Sequence, residues 1–111
     1  MSILSLHSAP HTNVDSRYVQ ALDLEVVNSG NDSYEMLIGM YGERGLYDTH
    51  LISLDPGVKV SISDIQTAYM PFQLVLVTNT NHAEHTEVMV RLKHNGTLLA
   101  VYTRRDMTES V

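Results

Sequence analysis

Large apolar side chains fall at every second position through most of this chain, and that spacing constrains its fold more than any other feature. Leu22, Leu24 and Val26 alternate with Asp23 and Glu25, with Tyr18 on the same face, and Tyr34, Met36, Ile38 and Met40 repeat the pattern. Val58, Val60 and Ile62 do so again, as do Val88, Val90 and Leu92 against Glu87, Met89, Arg91 and Lys93. Successive side chains of a strand point to opposite sides of a sheet, whereas a helix needs its apolar residues three and four apart. The pattern therefore predicts strands that each bury one face.

The breaks between these runs have the chemistry of turns. Asn28-Ser29-Gly30-Asn31-Asp32-Ser33 ends the first run and predicts a hairpin, because Gly and Asn tolerate left-handed backbone. Gly42-Glu43-Arg44-Gly45 closes the second run, and Leu46 to Leu54 forms the third. Asp55-Pro56-Gly57 fits a type II turn, with Pro presetting the first central residue and Gly taking the positive φ of the next. Ser63 to Pro71 is irregular, while Phe72 to Val77 is nearly continuous apolar residues and reads as a central strand covered on both faces. Asn95-Gly96 fits a two-residue type I′ hairpin loop, and Leu98, Ala100 and Tyr102 form the closing strand. Together these segments predict an all-β fold, an antiparallel β-sandwich or jelly roll of about seven to eight strands.

One domain accommodates all of this. With 111 residues, 43% of them apolar and 18% charged, the chain has enough apolar side chain for a two-layer core and too much for intrinsic disorder. Seven basic residues against thirteen acidic ones leave a formal charge of -6, and Arg104-Arg105 is the single adjacent basic pair. Nucleic acid is excluded on this reading, since phosphate recognition needs a basic stripe. No apolar run approaches the roughly 20 residues of a membrane-spanning helix, which argues against membrane insertion. The opening Met1-Ser2-Ile3-Leu4-Ser5-Leu6-His7-Ser8-Ala9-Pro10 lacks the basic and apolar segments of a secretory signal, which predicts a protein made in the cytoplasm without a Sec signal. The absence of cysteine removes disulfides, thiolate metal sites and a cysteine nucleophile from consideration.

The remaining residues name no reaction. His82 and His85 lie beside Glu84 and Glu87 and are the candidate metal ligands, because imidazole and carboxylate suit zinc or nickel; a solvated polar hairpin accounts for the same residues. His50 and His94 sit alone in strands, and Ser61, Ser63 and Asp64 lack the context of a nucleophile elbow. Asn31-Asp32-Ser33 and Asn95-Gly96-Thr97 match the glycosylation sequon, yet turn chemistry explains both. No catalytic residue and no cofactor is expected, and the chain is read as no enzyme.

Two features point to assembly. Ile3, Leu4 and Leu6 precede a polar, Pro-containing stretch that runs to Ser16, and a tail with three large aliphatics is suited to a groove or sheet edge of another chain. The expected organisation is an extended N-terminal arm at 1–16, a sandwich at 17–106 and a C-terminal tail at 107–111. On this reading the chain without its first sixteen residues remains a folded monomer. Arg104 and Arg105, before Asp106 at the end of the last strand, are the second candidate contact, as a salt-bridge site between subunits.

Four segments carry a family likeness: Arg17-Tyr18-Val19-Gln20, Leu54-Asp55-Pro56-Gly57 before a Val-x-Val-x-Ile strand, Pro71-Phe72-Gln73-Leu74-Val75, and Leu98-Leu99-Ala100-Val101-Tyr102. In these the chain resembles the small jelly-roll subunits of endospore appendages from Gram-positive spore formers. The resemblance implies a non-enzymatic structural subunit that stacks by edge-strand pairing with copies of itself, residues Met1 to Ser16 serving as connector, at a spore or cell surface. Connectors of that family commonly carry cysteines, and this chain has none. The alternative reading is a carbohydrate- or protein-binding sandwich module, for which Tyr41, Tyr47 and Tyr69 are the candidate exposed rings.

Overall fold

The computed structural model describes residues 1–110, in which nine strands are joined by turns and short 3-10 segments. The strands are β1 (Ser2–Ser8), β2 (Ala21–Asn28), β3 (Tyr34–Gly42), β4 (Gly45–Leu54), β5 (Lys59–Gln66), β6 (Phe72–Thr78), β7 (Thr86–His94), β8 (Thr97–Thr103) and β9 (Thr108–Ser110). They form two antiparallel sheets, one ordered β4-β3-β6-β1-β9 and the other β5-β2-β7-β8. This is the β-sandwich that the alternation implies. Among the described residues no helix is long and apolar enough to cross a membrane.

The even-numbered apolar residues meet between the sheets. Leu4 and Leu6 of β1, Met36, Ile38 and Met40 of β3, and Leu74 and Leu76 of β6 face Leu22, Leu24 and Val26 of β2 and Val88, Val90 and Leu92 of β7. β6 does lie at the middle of its sheet, but it is covered on one face only: Gln73 is exposed and Val75 and Val77 are half-buried on the other. Asn95 and Gly96, at φ of 47° and 80°, close the β7–β8 hairpin in the left-handed geometry that their residue types favour.

Both chain ends correct the expected division into arm, sandwich and tail. Residues 2–8 are a strand held between β6 and β9, from Ser2 opposite Thr78 to Ser8 opposite Phe72. Leu4 and Leu6 are buried in the chain's own core, and Ile3 faces outward, half-buried. Residues 9–16 are tied down as well: the Ser8 hydroxyl donates to the Val14 carbonyl at 2.7 Å, and Val14 and Ser16 are buried. At the other end Met107 is buried, and Thr108–Ser110 pair with β1. Of the expected tail, Val111 lies outside the described residues. The physical reason is that three aliphatics at alternating and adjacent positions serve an inner strand as well as a docking arm, and a β6 without β1 has an open edge of its own.

Asn28 to Ser33 corrects another expectation. It is a crossover, since β2 and β3 belong to different sheets. Alternation tells which face of a strand is buried but not which of two facing sheets holds the strand. The crossover meets two others, β4 to β5 and β6 to β7, at one end of the sandwich, and a fully buried Asn28 joins them. Its amide nitrogen donates to the carbonyls of Asp32 (2.8 Å) and Leu54 (2.9 Å), and its side-chain oxygen accepts from the Gly30 N–H (2.9 Å). Its backbone carbonyl accepts from Gly57 at 2.8 Å, while Ser29 N–H donates to the His85 carbonyl at 2.7 Å. The Ser33 hydroxyl reaches Asp55, and the Tyr34 hydroxyl lies 2.6 Å from that of Thr86. Every polar group of the Asn28 amide is thus used, as burial demands.

Two expectations follow for stability. Leu4→Ala should cost about 2–5 kcal/mol in urea unfolding, and removal of residues 1–8 should abolish the cooperative transition, the opposite of what a free arm requires. Asn28→Ala, which strips partners from buried carbonyls, should cost about 1–3 kcal/mol on the same measurement.

Candidate assembly surfaces

Thr97-Leu98-Leu99-Ala100-Val101-Tyr102-Thr103 is an uncharged run of β-formers, and the hairpin after β7 places it at the outer edge of the four-stranded sheet. Ala100 and Tyr102 turn toward the core, which leaves Leu98 (53% exposed), Leu99 (45%) and Val101 (44%) in solvent. Leu99 is the extra residue of a bulge between the pairs Leu92–Ala100 and Lys93–Leu98. Beyond it, Ala100 to Thr103 keep regular pairing with β7 on one side and present unpaired backbone groups on the other.

The other three edges are blunted by recognisable means. β9 is three residues long. β5 carries Lys59 and Asp64, the latter in left-handed backbone at φ 58° within the bulge between the pairs Leu24–Ile62 and Leu22–Ile65. β4 turns Asp48 and His50 toward the flank between the sheets, at the positions opposite Met40 and Ile38, with the imidazole 3.2 Å from the carboxylate. Short strands, lysine and inward-pointing charge are the devices by which sheet edges avoid pairing with other chains. β8 has only its bulge.

Arg104 and Arg105 follow β8 directly in a 3-10 turn. Asp106 accepts from the Thr103 N–H at 2.9 Å and so caps that turn, and among the described residues neither arginine forms an ion pair. The Arg104 Nε is buried with no partner. Arg105 is thus exposed and Ile3 and Arg104 are half-buried, while Leu4 and Leu6 are buried.

The other candidates are dispersed. His82 and His85 stack with ring centroids 5.0 Å apart and planes 28° from parallel, so their nitrogens do not converge on one point. Among the described residues no group of three His, Cys, Asp or Glu is arranged to hold a metal. The loop that carries them is a crossover and not a hairpin, because β6 and β7 are in different sheets. His85 lies over Gly30, where an added Cβ would meet its Nδ1 at 2.6 Å. Tyr41, Tyr47 and Tyr69 are exposed as expected, but on three surfaces. Tyr41 covers Gly39, the Tyr47 hydroxyl donates to the Gln66 carbonyl at 2.8 Å, and the Tyr69 hydroxyl lies 2.8 Å from His94 Nδ1. They make no shared platform.

The outer faces of the two sheets differ sharply. On the four-stranded sheet Lys93 bridges Asp23 (2.9 Å) and Asp64, and Glu25 takes Lys59 (2.6 Å) and, at 3.7 Å, Arg91. Burial pushes the Asp23 carboxyl up, but the Asp64 N–H and Lys93 together outweigh it and hold the group below its ordinary range. Lys59 does the same for Glu25. On the five-stranded sheet the register aligns Leu51, Leu37, Val77 and Ile3 in one row across β4, β3, β6 and β1. Leu51 is 69% exposed and Leu37 46%. Sequence reasoning overlooked both this row and the β8 edge. The signals were an apolar residue at odd positions 37, 51 and 77, between the core positions, and seven uncharged strand formers in succession.

No protein-family model matches the sequence, and no curated protein matches it. The fold is similar to that in the crystal structure of Thermotoga maritima 1070, with a TM-score of 0.56 over 92% of this chain and 88% of that one at 11% identity. At that identity the likeness concerns the fold alone.

The charge ladder carries a pH dependence. Asp23 and Glu25 have folded pKa values below their ordinary 3.8 and 4.5, so their contribution is complete above those values and is lost as pH falls through the folded ones. Thermal midpoints should be level from neutrality to about pH 5 and decline below about pH 4. Lys93→Met should lower the midpoint at neutrality and flatten that decline.

Proposed function

We propose that this chain is a non-enzymatic structural subunit that assembles with copies of itself by pairing sheet edges. One observation carries the reading: β8 is an uncharged apolar strand at an open edge, while the other edges are blunted. An exposed segment of that composition templates another strand, so its lasting exposure is a hazard and its pairing is a use.

The flanking charges favour antiparallel pairing of β8 with β8. Arg104 and Arg105 stand at one end only. A parallel arrangement sets the two arginine pairs against each other, and like charges directly opposite destabilise a sheet. An antiparallel arrangement puts them at opposite ends and joins two four-stranded sheets into one. The likeness to endospore-appendage subunits supports the same kind of role, at a spore or cell surface. The N-terminal segment takes no part as a connector, being β1 of the chain's own sheet. A carbohydrate-binding role draws no support from tyrosines on separate surfaces.

Val101→Lys and Leu99→Lys should each reduce the mass measured by light scattering while leaving far-UV circular dichroism unchanged, since both side chains point to solvent. Amide exchange along Ala100–Thr103 should quicken in the same variants. An unchanged mass in both variants, or a wild-type chain that stays monomeric at every concentration, removes edge pairing from consideration.

A further inference from the structure

From the tip of the β7–β8 hairpin we infer a modification site: Asn95 deamidates itself, with His94 as the acid that releases the ammonia. The event is a single conversion of the chain's own side chain and not a turnover, and it stands apart from the edge-pairing reading.

Asn95 alone among the six asparagines of the chain precedes a glycine. The reaction is an attack by the next backbone nitrogen on the asparagine side-chain carbonyl carbon, and glycine leaves that nitrogen without a neighbouring Cβ. Asn95 and Gly96 are both exposed, and a Cβ built on Gly96 meets nothing within 4 Å, so the approach is open. Among the described residues no backbone carbonyl takes up the Gly96 N–H.

The surroundings converge on this one amide. His94 Nε2 lies 3.5 Å from Asn95 Nδ2, the nitrogen that must leave, and His94 Nδ1 lies 2.8 Å from the Tyr69 hydroxyl. The Tyr69 ring also packs against the imidazole, with centroids 5.7 Å apart. Tyr69 reaches that place from the β5–β6 connection in a costly conformation, with Ala68 at φ 51° and Tyr69 at φ 63°, an outlier for a bulky side chain. The Tyr69 N–H donates to the Val19 carbonyl at 2.9 Å, and the Ala68 and Thr67 N–H groups donate to the Gln20 carbonyl at 3.0 Å and 2.9 Å. The Gln20 side-chain oxygen in turn accepts from the Asn95 N–H at 2.7 Å. Strain persists where the surrounding structure over-determines it, and here it holds Tyr69 against His94.

The step balances as follows. The Gly96 N–H gives its proton to solvent as the nitrogen bonds to Asn95 Cγ and closes a five-membered ring. In that tetrahedral intermediate Nδ2 is a basic amine. The Cγ–Nδ2 bond breaks with its electron pair on nitrogen, and protonated His94 supplies the proton that completes ammonia; the imidazole regains one from solvent. Both ring nitrogens of the protonated imidazole are donors, so Nδ1–H stays on Tyr69 while Nε2–H serves the leaving group. Water then opens the succinimide at either carbonyl, to aspartate or isoaspartate. Each adds a negative charge, and isoaspartate adds a methylene to the backbone of the loop between the paired His94 and Thr97. A type I′ turn has no room for the extra atom, so β8 loosens from its first residues.

Peptide mapping by mass spectrometry of the full chain, incubated folded at neutral pH and in parallel in urea, tests the site, with circular dichroism confirming the fold. Asn95 should convert ahead of the other five asparagines, and faster in the folded chain than in urea. His94→Gln should slow the folded chain about tenfold, short of the about hundredfold of a well-aligned enzymic acid because 3.5 Å is a long contact. Added imidazole should restore part of that rate. Tyr69→Phe keeps the ring beside His94 without the hydroxyl and should slow conversion less, and in urea all three chains should convert alike. Equal rates for the folded wild type and the folded His94→Gln chain overturn the role of His94, and Tyr69→Phe decides the same point if His94→Gln unfolds. An Asn95 that stays intact in the folded chain while it converts in urea overturns the site altogether.

Discussion

The crossing of the chain between two facing sheets is the constraint on which the rest of this structure depends. Only the β3–β4 and β7–β8 connections stay within one sheet; every other connection changes layer. Each crossing carries backbone polar groups past the end of an apolar core, where water is partly excluded and every N–H and C=O still needs a partner. Three crossings share one end, and Asn28 serves them together because a buried amide both donates and accepts. With Ser29, Ser33, Tyr34 and Thr86 it makes a polar closure that fixes how far the sheets are offset. The register of the core then follows, since a one-residue slip would turn the whole apolar set of a strand outward.

The chain ends close the other half of the design. β1 lies between β6 and β9, so the first and last strands of the described chain are neighbours, and Ile3 faces Ser110. Such pairs are far apart in sequence, and ordering them costs chain entropy before any contact offsets it. In return the central β6 is flanked on both sides, and no long apolar edge is left on that side of the five-stranded sheet. The remaining long apolar edge belongs to β8, on the other sheet.

Edges and faces together explain why self-association is the favoured reading. A sandwich solves the burial of its inner faces internally, but its edges and outer faces remain, and their chemistry records whether they meet water or protein. The outer face of the four-stranded sheet is cross-linked by ion pairs, as a solvated surface can be. The outer face of the five-stranded sheet is mixed, with Leu37 and Leu51 exposed beside exposed Glu35, Thr49 and Gln73, whereas the β8 edge carries no charge.

The sequence by itself determined the strands, their inward faces and most turns. Those depend on neighbours one or two residues away: alternation sets the buried face at Leu22, Leu24 and Val26, and Asn95-Gly96 sets the hairpin geometry. Tertiary structure alone decided which sheet each strand joins, since period two is the same in either layer and the Asn28 turn reads as hairpin or crossover alike. It decided that Ile3, Leu4 and Leu6 belong to a strand and not to an arm, because the vacancy they fill lies between residues some seventy positions away in β6 and a hundred away in β9. It decided too that Leu37, Leu51, Val77 and Ile3 form one row and that β8 is an edge. Alignment across strands is a property of pairing between distant segments, and no local pattern contains it.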